Sequence, residues 1–138
     1  MYLFINNIGL NKIVLGIGQS KKPFEFLNLL NSRNKNDRIL PGIDRLLKKN
    51  KKKLNSLKGI IVVNGPGSFA GIRVGLSVAN TLAWVLDIPV IGINLLQGKD
   101  SQELVKIGIE KLSKIKNKKQ VMPFYGKEPN ITKAKQDY

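Results

Sequence analysis

Residues 59–94, GIIVVNGPGSFAGIRVGLSVANTLAWVLDIPVIGIN, constrain the fold more than any other part of the chain. The IIVV run at 60–63 is unbroken and largely β-branched, as in strands buried on both faces. A Gly-Pro-Gly turn hands it to a helical stretch, 68–87, and Asp87-Ile88-Pro89 stops that helix before a second buried strand, 89–93. Strand, helix and strand with such short joints make a βαβ unit, in which the strands lie parallel and the crossover is right-handed. The chain is therefore expected to be an α/β protein.

The remaining segments extend this core. MYLFIN (1–6) and KIVLGIG (12–18) read as an antiparallel hairpin, and FEFLNLL (24–30) as a third strand or a short helix. Ile39, Leu40, Ile43, Leu46 and Leu47 recur at helical spacing after Asn36 and Asp37, either of which can cap, with Pro41 and Gly42 in the first turns. The run KKNKKK (48–53) repels itself and is expected to be a solvated loop. A further helix starts with Asp100 and Glu103 in capping-box spacing and carries Leu104, Val105, Ile109 and Leu112. From Lys116 onward there is little periodicity, so the tail is expected to be loose.

Composition narrows the chemistry. Cysteine and histidine are both absent, which removes disulfides, thiolates, histidine bases and histidine metal ligands. The nine acids fall mostly beside lysines or in helices, where a solvated role is expected. No catalytic and no metal-ligating residues are therefore assigned. The net charge of +15 suits work near nucleic acid, although Lys, Asn and Ile share A/T-rich codons and genome composition can produce much of this charge without selection for binding. No apolar run approaches a membrane span and the start lacks signal-peptide regions, so the cytoplasm is expected, with no membrane partner.

In the glycine turn, Gly65 and Gly67 can take positive φ, Pro66 stiffens the bend and Ser68 can cap the helix. Gly65, Gly67 and Ser68 are thus weak candidates for phosphate binding at a helix N-terminus. Yet no lysine follows as in a Walker loop, and the GxGxxG spacing fails at Ala70, with Gly71 one residue late. A structural corner is the better reading, with no cofactor bound independently. On the helix, Arg73, Ser77, Asn80, Trp84 and Asp87 form one narrow polar arc, while Gly71, Gly75, Ala79 and Ala83 recur every four residues. Such a small-residue row admits a second helix, either the chain's own first helix or another subunit's, while Val74, Val78, Leu82 and Val85 beside it can cover the sheet.

These residues carry a resemblance. Residues 59–94 are similar to the signature of the TsaB (YeaZ) family, partners in making threonylcarbamoyladenosine beside the tRNA anticodon. NDRILPGIDRLLKKN (36–50) resembles that family's first helix, and MPFYGKEPNITKAK (122–135) its C-terminal Pro-x-Tyr segment. The resemblance implies an actin-like, RNase H-like (ASKHA) subdomain over 1–98, with a mixed five-stranded sheet, an added helix at 99–115 and a basic remnant at 116–138. It implies pairing through the two helices at 37–49 and 68–87; as a departure from the family, the second subdomain is expected to be missing or vestigial. The family's opening Asp-Thr-Ser is replaced by Ile5-Asn6-Asn7, and its corner threonine by Ala70.

The leading expectation is a non-catalytic subunit that binds the catalytic TsaD protein, supporting modification of tRNAs that read ANN codons. A TsaE-like ATPase and tRNA are further candidate partners. The expected interface comprises Ile39, Ile43 and Leu46 with Gly71, Ile72, Arg73, Gly75, Leu76, Ala79 and Ala83. The alternative is a homodimeric module touching RNA through its lysines. An independent ATPase is a third reading, opposed by the missing Asp and lobe.

Overall fold

A computed structural model of the chain describes residues 1–30 and 35–124. Five strands, β1 (Tyr2–Asn6), β2 (Lys12–Gly18), β3 (Glu25–Leu30), β4 (Gly59–Val63) and β5 (Val90–Ile93), form one sheet in the order β3-β2-β1-β4-β5. β1 pairs antiparallel with β2, and β2 with β3; β1 and β4, then β4 and β5, pair parallel. The hairpin and the βαβ unit thus join through β1, which is buried along almost its whole length. FEFLNLL resolves as a strand, because β2 offers it a partner edge over its full length.

Two helices cover one face: α1 (Ile39–Lys49) lies on β2, and α2 (Phe69–Leu86) on β4, β1 and β5. Gly42 of α1 rests on the Leu15 side chain, and Gly75 of α2 lies over Ile5 and Asn7. α3 (Ser101–Ser113) covers the other face, where Gly108 presses on Ile61. On that face Phe4, Gly16 and Phe26 stand in one cross-strand row, and the bare Gly16 lets the two rings meet edge to face with centroids 6.1 Å apart.

The helix ends follow partly from local chemistry. Ser68 caps α2, its Oγ accepting from Gly71 N–H at 3.2 Å, and Asp87 closes it in the left-handed conformation. Asp100 caps α3 by accepting from Glu103 N–H at 2.9 Å. At α1 the expected cap by Asn36 or Asp37 is corrected: a 3-10 turn, Lys35–Arg38, precedes the helix and Arg38 stands at the N-cap without a side-chain bond. Asn36 is instead drawn to Asn7, whose amide donates to its Oδ1 at 2.9 Å.

Two further expectations change. Residues 118–124 are not loose but run back over β5 beside α2, held by bonds described below. Residues 125–138, including most of the Pro-x-Tyr resemblance, lie outside the described residues. The 18-residue α2 is also long and apolar enough, by length and composition, to cross a membrane. Its Ile72, Leu76, Ala79 and Ala83 are buried in the chain's own core, so one face of it packs within the fold.

Candidate functional site

The glycine corner fills itself with main chain. Leu95 N–H donates to Gly65 O at 2.8 Å, and Ser68 N–H to Ile8 O at 2.9 Å. Only Gly65 has positive φ, at 136°, where an L side chain is strained. Gly67 does not. Its lack of a Cβ serves close approach, since a Cβ there would lie 2.6 Å from Ile8 O. The expectation of positive φ at both glycines is corrected on this point. Asn7 is only 1% exposed, and its amide also donates to Gly71 O at 3.1 Å. That bond fastens the first turn of α2 to the end of β1, so Gly65, Gly67 and Ser68 are brought together as a structural joint.

The expected interface residues are placed mostly inside the chain. Ile39, Ile43, Leu46, Gly71, Ile72, Gly75, Leu76, Ala79 and Ala83 are all buried, and Arg73 alone of the set is exposed. The small-residue row turns toward β1, not outward: Asn7 donates to Gly71 O, and Gly75 lies over Asn7 and Ile5. Val74, Val78 and Leu82 are half-buried at its flank, and Val85, expected to cover the sheet, is 63% exposed. The outer face of α2 instead presents Phe69, Arg73, Ser77, Thr81, Trp84 and Val85, and Leu40 of α1 is exposed as well. Of these, Phe69, Thr81 and Leu40 were not singled out in the sequence as surface residues; the 100° spacing that gathers Arg73, Ser77 and Trp84 also includes Phe69.

The strap at 118–124 completes the α1–α2 layer. Asn80 pairs with Val121 in both directions, its amide donating to Val121 O at 3.1 Å and Val121 N–H donating to its Oδ1 at 2.9 Å. Asn64 donates to Met122 O at 3.0 Å, and Phe124 N–H to Asn64 O at 2.8 Å. Lys118 Nζ donates to both the carboxylate and the carbonyl of Asp87, at 2.9 and 2.8 Å. Val121 thereby packs over Gly92, where a Cβ would lie 2.6 Å away.

Among the described residues no three Asp, Glu, His or Cys side chains gather as a metal site. Glu25 has its carboxyl lowered from the ordinary range by a hydrogen bond from Lys49, an ion pair of 2.8 Å that ties β3 to α1.

Residues 29–106, more than half of the chain, match the family described as TsaD, tRNA N6-adenosine threonylcarbamoyltransferase. The chain belongs to this family. TsaB/YeaZ proteins are among those it is similar to. The tRNA threonylcarbamoyladenosine biosynthesis protein TsaB of Bacillus subtilis is 37% identical over 53% of this chain and 31% of its own length. TsaB of Haemophilus influenzae is 43% identical over 51% of this chain and 30% of its own. Further relatives carry the name of the transferase itself. The solved structure of YeaZ from Pseudomonas aeruginosa superposes with a TM-score of 0.64 at 23% identity, over 70% of this chain and 44% of that one. The TsaB/YeaZ assignment and the expected α/β fold, with its mixed five-stranded sheet, therefore stand. The chain spans about a third of the length of the two TsaB relatives.

Proposed function

We propose that this TsaB/YeaZ-type chain is a non-catalytic subunit in tRNA threonylcarbamoyladenosine synthesis, docking on a TsaD-like catalytic protein through the outer face of α1 and α2. One observation carries the reading. Phe69 and Val85, near the two ends of α2, are 65% and 63% exposed, and Leu40 on α1 is 56% exposed. Single exposed apolar residues are ordinary, but several on two contacting helices make a surface that association would bury. Arg73, exposed on the same face, offers a cation to a partner carboxylate.

The accessory role is supported by the residue inventory: no histidine or cysteine for acid–base or nucleophilic work. Corner N–H groups of the kind that hold phosphate are turned to Ile8 O and Ser68 Oγ, so nucleotide and any TsaE-like ATPase enter with the assembled complex. The cytoplasm, where tRNA is modified, is the proposed location.

Sizing of the chain mixed with TsaD from the same organism tests this reading. A stable complex is expected, weakened about tenfold or more by Phe69→Asp with Val85→Asp, as for apolar anchors at interfaces. No complex with TsaD, or an unaffected one in the double variant, would refute it. The same face suits a homodimer, which would appear as self-association of the chain alone, abolished by the same two substitutions.

A further inference from the structure

Trp84 is 84% exposed, the most exposed large apolar side chain among the described residues, and it is the chain's sole tryptophan. It forms one wall of an open cavity of about 540 Å³ at the C-terminal end of α2, within the ~300–1,000 Å³ range of small-ligand sites. The strap contributes Lys118, Lys119 and Gln120 to its lining, and Asn80, Thr81 and Asp87 add further polar groups. The strap is fixed there by the paired bonds of Asn80 and Val121.

We infer that this cavity holds one unstacked nucleotide of a single-stranded RNA, its base against the Trp84 ring and its phosphate at Lys119. Three features select this ligand. An exposed indole offers a stacking platform for any base. Lys118 is neutralised by Asp87, whereas Lys119 makes no ion pair among the described residues and leaves the rim one positive charge in excess. Thr81 and Gln120 supply hydroxyl and amide groups of the kind that meet base edges. Ala83, Ile88 and Val90 also line the cavity, so a base there meets apolar surface beside the indole. The apolar residues Phe69, Val85 and Leu40 of the proposed docking surface do not line this cavity.

Trp84 fluorescence reports on the site directly. Titration with a mixed-sequence single-stranded RNA of about eight nucleotides, a length within the range one such module covers, should quench it. A blunt duplex of the same sequence and inorganic polyphosphate should not. Anisotropy of labelled RNA should show about tenfold weaker binding for Trp84→Ala, consistent with the loss of one stacked base, with most of it restored by Trp84→Phe. Lys119→Gln should lower the slope of log K against log salt by about 0.7, one single-strand phosphate contact. Both side chains are exposed, so the variants should melt like the parent. The inference fails if RNA does not bind, if duplex or polyphosphate matches single strands, or if Trp84→Ala binds RNA like the parent. Loss of TsaD association in Trp84→Ala with RNA binding intact would assign the tryptophan to protein docking. Trp84 and Thr81 share the outer face of α2 with Phe69 and Val85, so RNA binding is measured on the chain alone and docking on the Phe69 and Val85 variants mixed with TsaD, and either reading can fail alone.

Discussion

Ala79 has no exposed surface, and one turn earlier Gly75 stands 3.4 Å, counted from a would-be Cβ, from Asn7. Side chains of this size let α2 settle onto β1, so enlarging one strains the core instead of a subunit boundary. Ala79→Leu is expected to cost about 1–3 kcal/mol of folding stability, seen as a lower melting temperature, while the folded fraction still associates with TsaD. A normal melt with lost association would return the small-residue row to an interface. Gly65 is a second such position, since its φ of 136° penalises any side chain and the Phe124 carbonyl occupies the space a Cβ needs. Gly65→Ala should lower stability by roughly 1 kcal/mol or more in a denaturant titration, and ATP should not restore it.

Among the elements, the strap is the one whose position rests on a few polar bonds. Asn80→Ala removes both bonds to Val121 and leaves Val121 covering Gly92 without an anchor. A loss of about 1–3 kcal/mol is expected, with faster hydrogen exchange at the Val121 amide than in β1. Unchanged exchange would mean that Asn64 and Lys118 hold the strap unaided. The contact between β3 and α1 carries an acid dependence. Glu25 has a lowered folded pKa, so its contribution is complete above the ordinary carboxylate range and is lost as pH falls through the folded value. Melting temperature should therefore fall on acidification by more in the parent than in Lys49→Gln; identical pH profiles would show that the exposed pair contributes nothing.

For the whole molecule, the dominant long-range term is a net charge of +15. Lys51, Lys52, Lys53 and Lys58 make no ion pair among the described residues, and they cluster in sequence between α1 and β4. Their mutual repulsion acts over about 8–10 Å at moderate salt and further in dilute buffer. Added NaCl should thus raise the melting temperature, and changing Lys51, Lys52 and Lys53 to Gln should flatten that rise. A melting temperature indifferent to salt in the parent would show that the charges are already well spread. The same charge suits the RNA contact inferred at Trp84, since counterion release supplies affinity while stacking selects unpaired bases.

The order of strands and helices was legible in the sequence because its causes are local. IIVV reads as a buried strand from its neighbours alone, Ser68 caps α2 three residues before the N–H it accepts, and Pro89 lies just past the helix end. The parallel pairing of β4 and β5 follows from the short joints of the βαβ unit. Which side of α2 meets the sheet was not legible. The small row and the valine row are both apolar, and the choice falls to Asn7 and Ile5, more than sixty residues away, against which the glycines of the small row lie. Nor could residues 118–124 be read, since they lack periodicity and are ordered by Asn64 and Asn80 across a gap of forty residues or more. Gly67 had the same fate. Its reason is the backbone of Ile8, brought beside it only when the sheet has formed. Periodicity and caps act within a few residues and are written in the chain, whereas steric fit between distant surfaces exists only in the folded molecule.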